Sequence, residues 1–245
     1  MFEQVSEDIS RQHRIRIEEA KLIINDLQIS DNSKILEVGC GSGVQAALFA
    51  EKTSFIISSD INLANVKLKN VPLIKCSCEY LPFKGNTFDI VYSSCVLEHL
   101  KNRGLALREM KRVLKANGIM VCVVPTLAWK VLQMLTYYLV GLLSIIFVRN
   151  VERNYYKSHL GKSFIIPPVH GEFSGNKEEC MAYMTKSWVN LLESHGFQVF
   201  KIKKLLLYAP LGRLRKKGIT IIPPALKIEK ITRLSSSIAL FARLC

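Results

Sequence analysis

A buried strand that ends in an acid and a glycine-rich turn constrains this chain more than any other stretch. Residues 35–38 read Ile-Leu-Glu-Val, and glycines follow at positions 39, 41 and 43. Helical spacing begins at Val44, so the stretch predicts a strand, a tight turn and a helix start. Glycine tolerates positive φ and lets a ligand approach the backbone, where the first amides of a helix are unpaired donors. The turn therefore predicts a site for a carboxylate or phosphate group.

Length and composition favour one α/β domain over residues 1–245. The chain is 49% hydrophobic, which supports a full core and excludes general disorder. Its formal net charge of +14 indicates an anionic partner, and nucleic acid and an anionic membrane surface both qualify. The seven cysteines are scattered and show no zinc-finger spacing. We therefore expect buried thiols, no metal and a reducing cytosol, and residues 1–34 show no signal-peptide pattern.

A second acid ends the next apolar run. Asp60 follows Phe55-Ile56-Ile57-Ser58-Ser59. A carboxylate about twenty residues beyond a glycine turn is where α/β nucleotide sites bind ribose hydroxyls. Asp60 is also suited to cap a helix that begins near Asn62. Both roles are compatible, and the ribose role is the functional prediction.

Further segments follow in an order typical of one enzyme family. They are residues 79–91 (Glu-Tyr-Leu-Pro-Phe, a turn, then Phe-Asp-Ile-Val), 96–99 (Val-Leu-Glu-His), a helix over 106–115 stopped by 116–118, a strand over 119–125, and a helix over 185–195 before Gly196. With the glycine turn, they resemble class I S-adenosylmethionine (SAM) methyltransferases over residues 34–126 and 185–245. The resemblance implies a Rossmann-like, doubly wound sheet of seven strands whose last strand is antiparallel. To this fold the chain adds a helical apolar insertion after the fifth strand.

The same resemblance implies SAM as the cofactor. The glycine turn would hold the methionine end, Asp60 the ribose and residues 77–79 the adenine. This chain has Ser77 where the family commonly has an Asp, so the Ser77 hydroxyl or the Cys78 amide would replace that carboxylate. The predicted cofactor-binding residues are Glu37, Gly39, Cys40, Gly41, Gly43, Asp60, Ile61, Ser77, Cys78, Glu79 and Ser94.

Two histidines are candidate catalytic bases. His99 closes the Val-Leu-Glu-His segment, and His170 lies in a Pro-Pro-Val-His-Gly stretch of the insertion. A neutral imidazole near the transferring methyl group accepts a proton at physiological pH. A structural role within its own loop is the alternative for each. In related quinone-pathway O-methyltransferases, Glu-x-x-Glu-His binds a divalent metal, but Cys95 occupies the first Glu position here, which argues against magnesium or calcium.

An apolar stretch interrupts the family pattern after Thr126. Residues 127–149 belong to an insertion over 127–184 and are almost wholly apolar between Val131 and Val148. A single crossing would divide the sheet, so we expect an interfacial or re-entrant helix, or a helical cap over the acceptor pocket, and favour membrane contact. Ten basic residues and one acid lie between Glu193 and the last predicted strand at 236–243, which adds a positive patch: Lys201, Lys203, Lys204, Arg213, Arg215, Lys216, Lys217, Lys227, Lys230 and Arg233.

These observations predict a methyltransferase that acts on a lipophilic or lipid-linked small molecule, at an oxygen atom. The expected location is cytoplasmic and peripheral at the membrane. An RNA methyltransferase is one alternative, but no RNA-binding module is present in the sequence. A non-catalytic SAM-fold binding protein is the other alternative, and the intact turn and Asp60 argue against it.

Overall fold

Seven strands and six α-helices form the part of the chain that the computed structural model describes, residues 11–63, 70–147, 167–206 and 234–245. The strands are β1 (Ile35–Val38), β2 (Ile56–Asp60), β3 (Leu73–Lys75), β4 (Phe88–Ser94), β5 (Leu114–Pro125), β6 (Phe197–Lys204) and β7 (Ser237–Leu244). The helices are α1 (Arg11–Ile24), α2 (Val44–Ala50), α3 (Arg103–Val113), α4 (Leu127–Phe147), α5 (Asn176–Ala182) and α6 (Thr185–Glu193), with a 3₁₀ turn at Leu97–His99.

The strands pair into one sheet in the order β3-β2-β1-β4-β5-β7-β6. Strand β1 pairs in parallel with β2 on one side and β4 on the other, and β6 pairs antiparallel with β7. The predicted doubly wound, seven-stranded fold is therefore confirmed. The direction of winding reverses between β1 and β4, and ligands of such sheets bind outside the carboxyl ends of the strands at that point.

Apolar side chains on both faces of the central strands explain why the sheet is buried. Ile35, Ile90 and Val121 contribute to a buried cluster that α1 and α2 join through Ile23 and Phe49. Alternate residues along the same strands are buried on the opposite face. The rigid centre of the sheet holds the turn after β1 in place.

The loosely helical apolar spacing of residues 3–28 also predicts a helix, of which the structure describes α1, while residues 1–10 lie outside the described part of the chain. One predicted element boundary differs from the structure. The predicted helix stop at 116–118 lies inside β5, which begins at Leu114. Leu114 already pairs with Phe88 before the register shifts, so strand pairing continues through residues that a turn pattern would exclude.

The chain divides into two compact units. The core unit comprises Met1–Val124, Val189–Leu205 and Ile238–Cys245, and the insertion unit comprises Pro125–Trp188 and Leu206–Ser237. Residues 148–166 and 207–233 are outside the described residues. The end of the predicted apolar segment and seven of the ten predicted basic residues therefore are not described.

Candidate functional site

The turn after β1 is built from left-handed backbone conformations. Gly39, Gly41 and Gly43 have φ of 77°, 55° and 79°. The amides of Gly39 and Cys40 donate to the Ser59 carbonyl oxygen at 2.8 and 3.0 Å, which ties the turn to the neighbouring strand β2. L-residues with side chains rarely adopt such angles, so glycine is the residue that this backbone requires.

Two glycines of the turn differ in what surrounds them. A Cβ on Gly39 would lie 2.2 Å from Cγ2 of Val96, so Gly39 allows the segment after β4 to approach the turn. A Cβ on Gly41 would meet no atom within 4 Å. Gly41 therefore leaves open space over the turn, as close approach of a ligand to the backbone requires. This cradle fits the cofactor that the sequence predicts.

Asp60 lies at the carboxyl end of β2, beside the turn. Its Oδ2 atom accepts from the Gly41 amide at 2.8 Å, and its Oδ1 atom accepts from the Asn62 amide at 2.9 Å. Each carboxylate oxygen has a second lone pair, so both can also accept ribose hydroxyl protons. The structural and the ribose roles are thus compatible. Ile61, the next residue, is exposed and offers an apolar surface at the rim of the turn.

Glu37 is buried at the end of β1. Its Oε2 atom accepts from the Ser58 hydroxyl at 2.8 Å. Burial raises the pKa of the Glu37 carboxyl to about 8, because desolvation disfavours the charged form. A cationic ligand group nearby would favour the carboxylate, and SAM carries two such groups, an ammonium and a sulfonium.

The predicted adenine loop begins directly after β3. The Cys76 amide donates to the Asp60 backbone carbonyl at 3.1 Å, which places this loop beside the ribose-binding candidate. The Ser77 hydroxyl accepts from the Glu79 amide at 3.2 Å. Burial raises the pKa of the Cys78 thiol to about 11. Cys78 therefore stays a neutral thiol at physiological pH and is suited to apolar contact.

The segment after β4 completes the candidate cofactor site. Ser94 ends the strand and is half-buried, and Cys95 has a φ of 54° while its amide donates to the Val123 carbonyl at 2.9 Å. This sharp bend directs Val96 toward Gly39. The structure thus brings the turn, Asp60, the 77–79 loop and the end of β4 to one edge of the sheet.

The two residues that close the Val-Leu-Glu-His segment differ in burial. His99 is exposed, whereas the neighbouring Glu98 is buried. Burial raises the pKa of Glu98 to about 7, and its Oε2 atom has no hydrogen-bond partner among the described residues. Glu98 belongs to the Val-Leu-Glu-His motif, but the motif alone predicts no role for it. The pattern of the motif does not reveal which of two adjacent polar side chains points inward.

Helix α1 supplies polar groups that the sequence analysis also missed. Arg16 pairs with the fully buried Glu19 at 2.8 Å, and its backbone carbonyl accepts from Gln45 Nε2 at 3.1 Å. The same amide donates to the Tyr92 hydroxyl at 2.8 Å. These partners are separated by up to 76 positions (Arg16 to Tyr92), so no local pattern could have identified them.

His170 belongs to the insertion unit. Its ring is half-buried and lies against the Trp129 ring, with centroids 4.7 Å apart. Its amide donates to Glu179 Oε1 at 2.9 Å, and its carbonyl accepts from the Tyr183 hydroxyl at 2.9 Å. The backbone and the ring of this loop histidine are therefore both fixed.

Helix α4 carries the described part of the predicted apolar segment. Val131, Leu135 and Tyr138 are exposed at the i, i+4 and i+7 spacing of one helix face. Within the described residues, no helix combines the length and the apolar character needed to cross a membrane.

The comparison with known families matches the core unit. Residues 36–122 fit the family described as Methyltransferase domain, and they include the turn, Asp60, the 77–79 loop and the end of β4. Residues 36–122 are a class I SAM methyltransferase domain. The predicted resemblance is thereby confirmed, and SAM is the cofactor that this family and fold imply.

Individual relatives cover only parts of the chain. A demethylmenaquinone methyltransferase of Corynebacterium urealyticum is 34% identical over 95 residues, 38% of this chain and 41% of that protein. Sterol 4-C-methyltransferase strm-1 of Caenorhabditis elegans is 29% identical over 107 residues, 39% of this chain and 32% of its own length. The chain thus matches less than half the length of each relative.

Solved structures extend the likeness to the fold of nearly the whole chain. A SAM-dependent methyltransferase from Thermotoga maritima aligns with a TM-score of 0.55 and 15% identity, covering 95% of this chain and 91% of the other. At that identity the likeness concerns the fold alone.

Proposed function

We propose that this protein transfers the methyl group of SAM to a lipophilic small molecule. The observation that carries the proposal is the joint arrangement of the open glycine turn and Asp60 at the switch point of the sheet. The family match supports the cofactor, and the exposed apolar face of α4 supports the class of acceptor.

SAM, when bound, supplies an already activated methyl group. The protein's own contribution is alignment, which alone lowers barriers substantially in reactions between two bound molecules. Backbone amides of the turn and the Asp60 carboxylate would fix the cofactor, while Glu37 would face its positive charge. A general base is needed only where the acceptor must lose a proton. His99 and His170 are the candidates that the sequence provides, and the imidazole of His99 is exposed.

The class of acceptor is supported by two lines of evidence. The names of two relatives specify a sterol and a demethylmenaquinone, both lipophilic molecules. The exposed stripe of Val131, Leu135 and Tyr138 adds an apolar surface in the insertion unit of this chain. Oxygen stays the predicted methylated atom, whereas the name of the sterol relative specifies carbon.

The same stripe supports a peripheral location at an anionic membrane. An exposed apolar helix face together with a net charge of +14 combines the two signals that interfacial binding uses. We expect the protein to bind vesicles that contain phosphatidylserine. Leu135→Ser should weaken this binding several-fold, because it removes an exposed apolar side chain from the middle of the stripe. Met184→Ser is a matched control, because it removes an exposed apolar side chain of the same unit outside the stripe and changes no charge.

Incubation with ¹³C-methyl SAM and separate pools of total lipid extract and total RNA tests the proposal. We expect labelled product in the lipid pool, and the ¹³C chemical shift of the methyl group distinguishes attachment to oxygen from attachment to carbon. Label in RNA alone would establish the RNA alternative. SAM binding without label in either pool would contradict the proposed transfer to a lipophilic acceptor.

A further inference from the structure

A buried ion pair lies in the insertion unit. Lys130 Nζ and Glu179 Oε2 are 2.5 Å apart, and both side chains have no solvent exposure. Removing two charges from water costs several kcal/mol per ion, and apolar side chains of similar volume often replace such pairs without loss of stability. Fold stability therefore does not explain why this pair is present.

The partners of the pair indicate its role. Lys130 Nζ also donates to the Pro168 carbonyl at 3.1 Å, and Glu179 Oε1 accepts from the His170 amide at 2.9 Å. Both of these contacts are to the backbone of one short loop. Pro167 and Pro168 have no amide hydrogen, so this loop has few donors with which to form regular secondary structure. Buried side chains fix its conformation instead.

His170 has two further contacts, and a third contact holds the loop at Pro167. Tyr183, which is fully buried, donates its hydroxyl to the His170 carbonyl at 2.9 Å. The Trp129 ring covers one side of the imidazole. Asn176 donates to the Pro167 carbonyl at 2.8 Å and closes the loop at its other end. The contacts fix the backbone on both sides of His170 and one face of its ring, while the ring itself stays half-buried.

We propose that Lys130 and Glu179 are positioning residues whose role is to hold residues 168–170 so that His170 presents its imidazole in one orientation for methyl transfer. This inference rests on the proposed function. It assigns one functional group, an oriented imidazole, to the insertion unit. It also explains why two charged side chains are buried there.

Two double variants separate the contribution of the buried charges from that of the hydrogen bond between Glu179 and the His170 amide. In Lys130→Met with Glu179→Gln, the charges are removed but the Gln Oε1 atom can still accept from the His170 amide. In Lys130→Met with Glu179→Leu, that acceptor is removed as well. Both variants avoid an unpaired buried charge, which a single substitution would leave.

The first readout is the ¹³C-histidine NMR spectrum of the full chain. The Trp129 ring should shift the His170 ring signals upfield, and His170→Ala identifies those signals by their disappearance. We expect the Met/Gln variant to lose part of the shift, because it loses the Lys130 contact to Pro168 but keeps an acceptor for the His170 amide, and the Met/Leu variant to lose most of it. An unchanged His170 signal in a folded Met/Leu variant would overturn the proposal.

The second readout is methyl transfer to the lipid pool. The Met/Leu variant should lose about tenfold or more in kcat, as His170→Ala should, whereas SAM affinity stays within about twofold. Adding His170→Ala to the Met/Leu variant should cause no further loss, because residues that act through one group are not additive. Additive losses would show that the pair acts independently of His170, which contradicts the proposal.

If the wild type labels no pool, the proposed function fails, whereas the NMR comparison still decides whether the pair positions His170. If the Met/Leu variant does not fold, Lys130→Met with Glu179→Met replaces it, because Met is close to Glu in length and also lacks an acceptor for the His170 amide. It should shift the His170 signals and lower kcat several-fold, and no change in either would overturn the proposal.

Discussion

The cofactor turn and the insertion unit fix their functional groups by different means. The turn relies on backbone: three glycines with positive φ place amides against Ser59 and Asp60. The insertion unit relies on side chains, with a buried ion pair that holds the backbone beside His170. A backbone-determined site leaves a local glycine pattern in the sequence, whereas a site determined by side chains from separate elements does not.

The largest effect should come from a methyl group added to the turn. Gly39→Ala combines a positive φ with a contact of 2.2 Å to Val96, so we expect a loss of roughly 2–5 kcal/mol in the free energy of unfolding. Gly41→Ala is the matched control, because its Cβ meets no atom within 4 Å and only the backbone strain of about 1–2 kcal/mol applies. Urea denaturation measures both.

Val96→Ala refines this comparison. In the Gly39→Ala background it should recover part of the lost stability, since it removes the Cγ2 atom of the contact. Equal stability losses for Gly39→Ala and Gly41→Ala would show that the approach of Val96 to the turn does not constrain Gly39.

The next effect concerns cofactor affinity. Asp60→Ala should weaken SAM binding roughly 10–100-fold, because hydrogen bonds to a charged group contribute about 1.5–3 kcal/mol. Asp60→Asn keeps one acceptor oxygen for the Gly41 amide and should lose less. Calorimetric titration with SAM measures the difference, and the Lys130→Met, Glu179→Leu variant should bind SAM like the wild type. Unchanged affinity in Asp60→Ala would exclude the ribose role.

A further effect is the pH dependence that Glu37 introduces. Its pKa is raised from 4.5 to about 8, so the folded protein binds more protons than the unfolded chain between these values. The free energy of unfolding should therefore fall as the pH rises from about 5 to 8, and Glu37→Gln should reduce this slope. The hydrogen bond from Lys203 lowers the pKa of Asp26. Protonation of Asp26 therefore affects stability only at lower pH, outside this window.

The affinity for SAM should change with pH in the opposite direction to the free energy of unfolding. The positive charges of SAM favour the Glu37 carboxylate, so SAM affinity should rise from pH 6 to pH 8 in the wild type and stay nearly constant in Glu37→Gln. Calorimetry at several pH values measures both. An equal pH dependence in the two proteins would show that Glu37 does not respond to the cofactor.

Much of the fold and the candidate cofactor site could be predicted from the sequence. The alternation of apolar runs and helices, the glycine turn and Asp60 are all local patterns, and the structure places the last two in direct contact. The start of β5 could not be predicted, because pairing of Leu114 with Phe88 overrides the turn propensity of residues 116–118. Tertiary contacts routinely change the ends of elements in this way.

The residues that sequence reasoning missed are buried polar groups with distant partners. Glu98 directly precedes His99, whose imidazole is the more obvious candidate for proton transfer. Gln45 has its partners on α1 and β4. Lys130 and Glu179 stand on different helices. Charged residues are rarely buried, so sequence alone favours exposed positions for them, and only the structure reveals such exceptions.

We propose that the turn after β1 and Asp60 together form the SAM site, and a crystal structure grown with S-adenosylhomocysteine provides the sharpest test. We expect the ribose hydroxyls within hydrogen-bond distance of the Asp60 carboxylate and the amino-acid end of the ligand over Gly41. Ligand bound elsewhere in the crystal, with no contact to the turn or to Asp60, would show that this is not the SAM site.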